Sequence, residues 1–148
     1  RITGNGTGMS YMKNKKIFLD TNFLFYLYSA QDLSKQQKAV AWLGNHKDAQ
    51  FYISIQVQKE LYVSLTKKLK IDKLETRQLI QKTNKLNVVL NTTDQIERVM
   101  ELNILHSLSF FNSLIFAAAE FAQCDILATE DMQSSFKIKG LEIINPFN

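Results

Sequence analysis

Short apolar runs alternate with helical patterns along most of this chain, and that alternation limits the folds it can adopt. The first apolar run is Ile17-Phe18-Leu19, and later runs are separated from it and from one another by stretches with helical periodicity. Strands joined through helices pair in parallel, and a parallel sheet is covered by helices on both faces. We therefore predict an α/β protein, a three-layer α/β/α sandwich with a central parallel sheet.

Apolar runs and capping residues give approximate bounds for the elements. The strands are predicted at 17–20, 51–53, 88–90, 126–128 and 143–144. Ser34 and Gln37 have the spacing of a capping box, so a helix is predicted to begin at Ser34. Asp72, Thr92 and Ser109 each precede a helical pattern and are predicted to cap it.

The first eleven residues differ in composition from the rest of the chain. Gly4, Gly6 and Gly8 alternate there with small polar residues, and Met9 and Met12 both resemble initiation sites. We interpret residues 1–11 as a vector-derived leader and residues 12–148 as a single domain.

Composition excludes some classes of protein and leaves others open. No apolar stretch reaches the roughly 20 residues that span a bilayer, so no membrane association is expected. Cys124 is the one cysteine, which excludes an intramolecular disulfide and fits a reducing, cytoplasmic setting. The net charge of +4 permits a polyanionic partner without identifying one.

Acidic residues recur where predicted strands end. Asp20 follows the first strand, Glu130 and Asp131 follow the strand at 126–128, and Glu60 lies inside the helix after the second strand. Each of them alone has an ordinary explanation as a helix cap or a solvated residue. In a parallel sheet, however, the carboxyl ends of the strands share one edge, and crowded carboxylates repel one another unless a cation lies between them. Mg²⁺ or Mn²⁺ would suit such oxygen ligands.

These residues also carry a family resemblance, which covers the chain from about Lys15 to Phe147. The matching segments, in chain order, are Phe18-Leu19-Asp20-Thr21-Asn22, Ser54 to Leu61, Leu108 to Ile115 with Ala117-Ala118-Ala119, Ile126 to Met132, and Asn145-Pro146-Phe147. Together they resemble PIN-domain nucleases, specifically the VapC-like toxins of bacterial type II toxin–antitoxin systems.

The resemblance implies a metal-dependent endoribonuclease that cleaves RNA with a water activated by Mg²⁺ or Mn²⁺. It implies Asp20, Glu60, Asp131 and position 112 as the catalytic, metal-binding positions. It further implies supporting roles for Thr21, Asn22, Thr129 and Glu130, with Glu130 as an accessory acid. The implied partners are an RNA substrate, a cognate antitoxin and a second copy of the chain in a homodimer.

Asn112 departs from the family pattern, which has an Asp at this position. An Asn keeps an oxygen ligand but lacks the negative charge, so weaker metal binding and a large loss of rate are expected. Asn112 is either natural to a less active member or an Asp-to-Asn change introduced so that a toxic nuclease could be expressed; the predicted leader favours the second. A different kind of function also stays open, namely an inactive PIN domain that binds RNA or protein.

A run of lysines and a group of phenylalanines complete the candidate residues. Lys67, Lys68, Lys70 and Lys73 form the densest basic run, either a solvated helix end or a patch that tracks phosphates. Phe110, Phe111 and Phe116 are predicted to lie in the core.

Overall fold

The computed structural model describes residues 15–132 and 137–148. The predicted leader at 1–11 lies outside the described residues, so its assignment stays a prediction.

One six-stranded sheet forms the centre of the described part of the chain. Its strands are β1 (Lys16–Leu19), β2 (Gln50–Ser54), β3 (Asn87–Val89), β4 (Ile126–Ala128), β5 (Lys137–Ile138) and β6 (Leu141–Ile144). The strand order is β3-β2-β1-β4-β6-β5, and all neighbours are parallel except β5 and β6.

Six helices occur within the described residues. They are α1 (Thr21–Tyr28), α2 (Leu33–Asn45), α3 (Ile55–Lys67), α4 (Lys73–Thr83), α5 (Thr93–His106) and α6 (Phe110–Phe121). These helices flank the sheet, which confirms the predicted three-layer α/β/α arrangement. In 15–132 and 137–148, no helix combines the length and the apolar character that crossing a bilayer requires.

The core lies between the central strands and the helices that cover them. Ile17 and Phe18 of β1 and Leu127 of β4 are fully buried, as expected for parallel strands covered on both faces. Helix α3 buries one stripe, Val57, Leu61 and Leu65, and leaves its other faces more exposed. Cys124 is buried beside β4, and burial raises the pKa of its thiol to about 12.

The predicted parallel sheet carries one antiparallel strand at its edge. Strand β5 pairs antiparallel with β6 through the two-residue turn Lys139-Gly140. Both turn residues have positive φ, 50° and 86°, as a tight hairpin of this kind requires. Strand β5 was missed because a strand of two residues is too short to show an alternating pattern.

Two local predictions were also wrong. Helix α2 begins at Leu33 because the carboxylate of Asp32, ahead of Ser34 in the chain, caps it by accepting from the Lys35 N–H at 3.0 Å. Phe116 lies in the core as predicted, whereas Phe110 and Phe111 are 47% and 61% exposed. Both rings lie in the first turn of α6 and remain in contact with solvent.

The strand order places β1 and β4 side by side in the middle of the sheet. Chain connections leave this pair in opposite directions, since β2 and β3 lie on one side and β6 and β5 on the other. In open α/β sheets, ligands bind at such a switch point, outside the carboxyl ends of the strands. Asp20 and Thr129, the residues that follow β1 and β4, lie there.

Candidate active site

Asp20 lies at the junction of β1 and α1 and is 4% exposed. One carboxylate oxygen accepts from the Thr21 N–H at 2.6 Å, and the other accepts from the Thr129 hydroxyl at 2.5 Å. The cap that the sequence offered as an ordinary explanation is therefore present. Burial nevertheless raises the pKa of Asp20 to about 6, and the nearby charges of Asp131 and Glu60 raise it further against the effect of the two hydrogen bonds.

Glu60 reaches the same region from α3. Ser54, the last residue of β2, caps that helix by accepting from the Val57 N–H at 3.2 Å. Glu60 follows within the second turn, and its carboxylate accepts from the Thr21 hydroxyl at 2.7 Å. Thr21 thereby joins the start of α1 to the acidic side chain of α3.

Asp131 belongs to the loop after β4. Its carboxylate accepts from the Asn22 amide at 2.8 Å, and its backbone N–H donates to the Thr129 hydroxyl at 3.1 Å. Desolvation raises the pKa of Asp131, and the charges of Glu130 and Glu60 add to this effect. Three supporting residues predicted from the sequence, Thr21, Asn22 and Thr129, thus contact the predicted acids directly.

One cleft of about 250 Å³ brings the four predicted catalytic positions together. Its lining consists of Asp20, Thr21, Asn22, Glu60, Ser64, Phe111, Asn112, Ile115 and Asp131. Asn112 comes from the first turn of α6, where its N–H donates to the capping hydroxyl of Ser109 at 3.1 Å. Four elements that are distant in sequence therefore contribute to a single acidic cleft.

Glu130 lies outside the lining of this cleft. Its carboxylate forms an ion pair with Lys35 of α2 at 2.7 Å, and Lys35 also donates to the Tyr26 hydroxyl at 3.3 Å. A role as accessory metal ligand would require this pair to break. Lys35 could not be recognised from the sequence as the partner of Glu130 because the two residues lie far apart along the chain.

Sequence reasoning missed three further residues of the lining, Ser64, Phe111 and Ile115. Ser64 follows Glu60 by one helical turn, so a helical projection of α3 would have placed it on the same face. Phe111 was assigned to the core because nothing in an apolar helix distinguishes a ring at its exposed first turn.

The donor chemistry of the cleft fits a hard divalent cation. Asp20, Glu60 and Asp131 supply carboxylate oxygens and Asn112 supplies an amide oxygen, the ligand types that Mg²⁺ and Mn²⁺ prefer. Among the described residues, no three His, Cys, Asp or Glu side chains are already arranged around one ion position. Mg²⁺ typically keeps several waters and binds through one or two carboxylates, which suits a cleft of this kind better than a closed cage does.

Comparison with solved structures gives similar folds among toxins. A toxin–antitoxin complex from Klebsiella pneumoniae aligns with a TM-score of 0.64 and 23% identity, covering 88% of this chain and 97% of the other. VapC20 of Mycobacterium tuberculosis, described as a toxin that cleaves the sarcin–ricin loop, aligns with a TM-score of 0.64 and 22% identity, covering 78% and 91%. VapBC2 from Rickettsia felis, solved bound to a fragment of promoter DNA, aligns with a TM-score of 0.63 and 19% identity, covering 86% and 96%.

Sequence comparison assigns the family. A search of curated proteins found no match. The PIN domain profile matches residues 17–137, well over half of the chain, from β1 to the start of β5. The chain therefore belongs to the PIN domain family.

Proposed function

We propose that this protein is an endoribonuclease toxin of the VapC type, dependent on Mg²⁺ or Mn²⁺. The observation that carries the proposal is the meeting of Asp20, Glu60 and Asp131 with Asn112 in one cleft at the switch point of a PIN fold. The raised pKa of Asp20 supports it, because a carboxylate that is costly to ionise when alone gains most from a bound cation.

Asp20, Glu60 and Asp131 would hold the ion, with Asn112 as a neutral oxygen donor. When bound, such an ion lowers the pKa of a coordinated water and stabilises the charge that develops on a phosphate. Thr129 and Thr21 fix the orientation of two of the acids, and Asn22 fixes the third. The proposed cleavage uses a water activated by the ion, so no protein nucleophile is required.

The partners follow from the same assignment. The similar structures include toxin–antitoxin complexes and a toxin described as cleaving the sarcin–ricin loop. For this chain we propose an RNA substrate, a cognate antitoxin, a homodimeric state and a cytoplasmic location.

Asn112 removes one negative charge from the cleft relative to the Asp of the family pattern. We expect Asn112→Asp to increase cleavage of single-stranded RNA in Mg²⁺ or Mn²⁺ by about 100-fold or more, because even the outer partners of metal ligands are worth 10–100-fold. The measurement is the initial rate of cleavage of a labelled RNA. Asn91→Asp, which adds the same charge at an exposed position outside the cleft, is the control.

The alternative is a PIN domain that binds RNA or protein without cutting, and Asn112 is the observation that favours it. Calorimetric titration with Mn²⁺ separates the two. Binding that strengthens in Asn112→Asp, together with a gain in cleavage, supports the nuclease. A cleft that takes up no ion at millimolar Mn²⁺ in either form supports the binding module, and no gain in cleavage rejects an introduced Asp-to-Asn change.

A further inference from the structure

Phe111 exposes a large apolar ring on the wall of a cleft lined mainly by polar residues. It is 61% exposed and lies in the first turn of α6, beside Asn112. Most of its side-chain surface remains in water, so little of it contributes to the core. Of the large exposed apolar side chains in the described part of the chain, Phe111 is the one that lines the acidic cleft.

Phe110 is the aromatic neighbour of Phe111, and the two rings are in contact. The two ring centroids are 6.0 Å apart and the planes are inclined by 83°, an edge-to-face contact. Phe110 is 47% exposed but does not line the cleft. Phe110 is therefore a matched neighbour that differs from Phe111 in its relation to the acids.

One helical turn beyond the cleft, a lysine at the end of α3 lies close to an aromatic ring of α1. Thr21 and Ser64 line the cleft, and the residues four positions further along are Phe25 and Lys68. The Lys68 ammonium lies 5.8 Å from the centre of the Phe25 ring. Lys67 and Lys70, both exposed, lie close to Lys68 along the chain and add positive charge to this segment.

We propose that Phe111 is a stacking platform for one unpaired nucleobase of a single-stranded nucleic acid, and that Lys68 receives a phosphate of the same strand. The combination of a cationic track and an exposed aromatic ring is how proteins bind single strands without reading base edges. The inference rests on the proposed function and deepens it. It restricts the substrate to unpaired segments, because a paired and stacked base offers no free face to the ring.

Docking of another protein is the competing use of this surface. Ile104 and Leu105 of α5 are 75% and 67% exposed and provide further apolar area. The position of Phe111 in the cleft that holds the acids favours a nucleotide.

The test is binding of a fluorescein-labelled single-stranded RNA of about ten nucleotides, followed by anisotropy in Mg²⁺. Phe111→Leu keeps an apolar side chain but removes the ring, and we expect it to weaken binding about 5- to 100-fold. Phe111→Trp should bind at least as tightly as the unsubstituted chain. Phe110→Leu, the matched control, should change the dissociation constant by less than about 3-fold, because its ring lies outside the cleft.

An abasic sugar–phosphate chain of the same length identifies the contact. We expect it to bind the unsubstituted chain and Phe111→Leu equally. The tryptophan emission of Phe111→Trp should be quenched by the RNA and not by the abasic chain, with Trp42 of the unsubstituted protein as background.

Three results would overturn the inference. If the unsubstituted chain binds RNA and Phe111→Leu binds it equally well, the platform is rejected while the proposed function stands. If Phe111→Leu changes only the oligomeric state in size-exclusion chromatography, the ring belongs to a protein interface. If the unsubstituted chain binds no RNA, the proposed function fails and the inference fails with it.

Discussion

Asp20 has two roles that oppose each other energetically. Its carboxylate accepts hydrogen bonds from the start of α1 and from Thr129, which favour the charged form. Burial and two neighbouring acids disfavour the charged form by more, so the pKa of Asp20 rises from 3.8 to about 6. Asp20, the N-cap of α1, is therefore costly to ionise at neutral pH, and a cation in the cleft would lower this cost.

This cost predicts how stability depends on pH without divalent ions. Because the pKa of Asp20 is higher in the folded state, Asp20 contributes to the free energy of unfolding. This contribution is fully present below about pH 4 and is lost as pH rises through about 6. Asp20→Asn removes this loss. The free energy of unfolding of the variant should therefore rise, relative to that of the unsubstituted chain, by up to about 3 kcal/mol between pH 4 and pH 8. Urea unfolding across this range measures the difference.

Asp48→Asn is the control, since Asp48 is an exposed acid outside the cleft. Parallel pH curves for the unsubstituted chain and Asp20→Asn would contradict the prediction. Added Mg²⁺ should stabilise the unsubstituted chain more at pH 8 than at pH 5, because ion binding competes with the proton on Asp20.

At the scale of elements, the functional side chains lie at junctions where strands turn into helices. Asp20 caps α1 directly after β1, and Ser54 caps α3 directly after β2 and sets the start of the helix that carries Glu60. Ser109 caps α6 two residues before Phe111, which lies in the first turn. The capping residues therefore set where the cleft-lining helices begin.

Ser54 and Thr92 allow this dependence on capping to be tested. Ser54 is fully buried and its hydroxyl accepts from the Val57 N–H, whereas Thr92 caps α5 without a side-chain hydrogen bond. Ser54→Ala should lower the free energy of unfolding by about 1–2 kcal/mol, and Thr92→Ala should change it by less than about 0.5 kcal/mol. Urea unfolding gives both values, and equal effects would show that the side-chain cap is not the cause.

At the scale of the whole molecule, opposite charges are separated in space although the net charge is only +4. Among the residues that the structure describes, the lining of the cleft contains three acids and no basic side chain, whereas exposed lysines cluster where α3 ends and α4 begins. A polyanion would be attracted to the lysines and repelled by the acids. We expect the basic cluster to supply much of the affinity for RNA and a cation to be needed at the cleft.

The basic cluster predicts the salt dependence of RNA binding. If Lys67 and Lys68 each contact one phosphate, the double substitution Lys67→Gln and Lys68→Gln should lower the slope of log K against log salt by about 1.4, at about 0.7 per contact on a single strand. The measurement is RNA affinity at several salt concentrations. Lys47→Gln with Lys139→Gln removes the same charge from exposed positions outside the cluster, and an unchanged slope in the test pair would exclude Lys67 and Lys68 as phosphate contacts.

The site could be predicted from the sequence where it depends on strand ends. Asp20 and Asp131 follow neighbouring parallel strands, whose carboxyl ends share one edge of the sheet, and both line the cleft. Glu60 and Asn112 reach the cleft from helices, and the family resemblance pointed to position 112. The polar contacts of Thr21 and Asn22 follow from the same junction. Such predictions succeed because apolar periodicity and capping act over a few residues and are therefore visible in the chain itself.

The tertiary structure decided three features that local patterns do not encode. Lys35 pairs with Glu130 across the fold, Phe111 lies at a solvent-exposed helix start, and β5 pairs with β6 at the edge of the sheet. The first two depend on which surfaces meet once the layers have packed, and therefore on contacts between residues far apart along the chain. The β5–β6 hairpin is local, but a strand of two residues is too short to show an alternating pattern. The sequence by itself thus determined the order of the elements and the set of acids, whereas long-range packing decided which charges are neutralised and which aromatic ring faces the cleft.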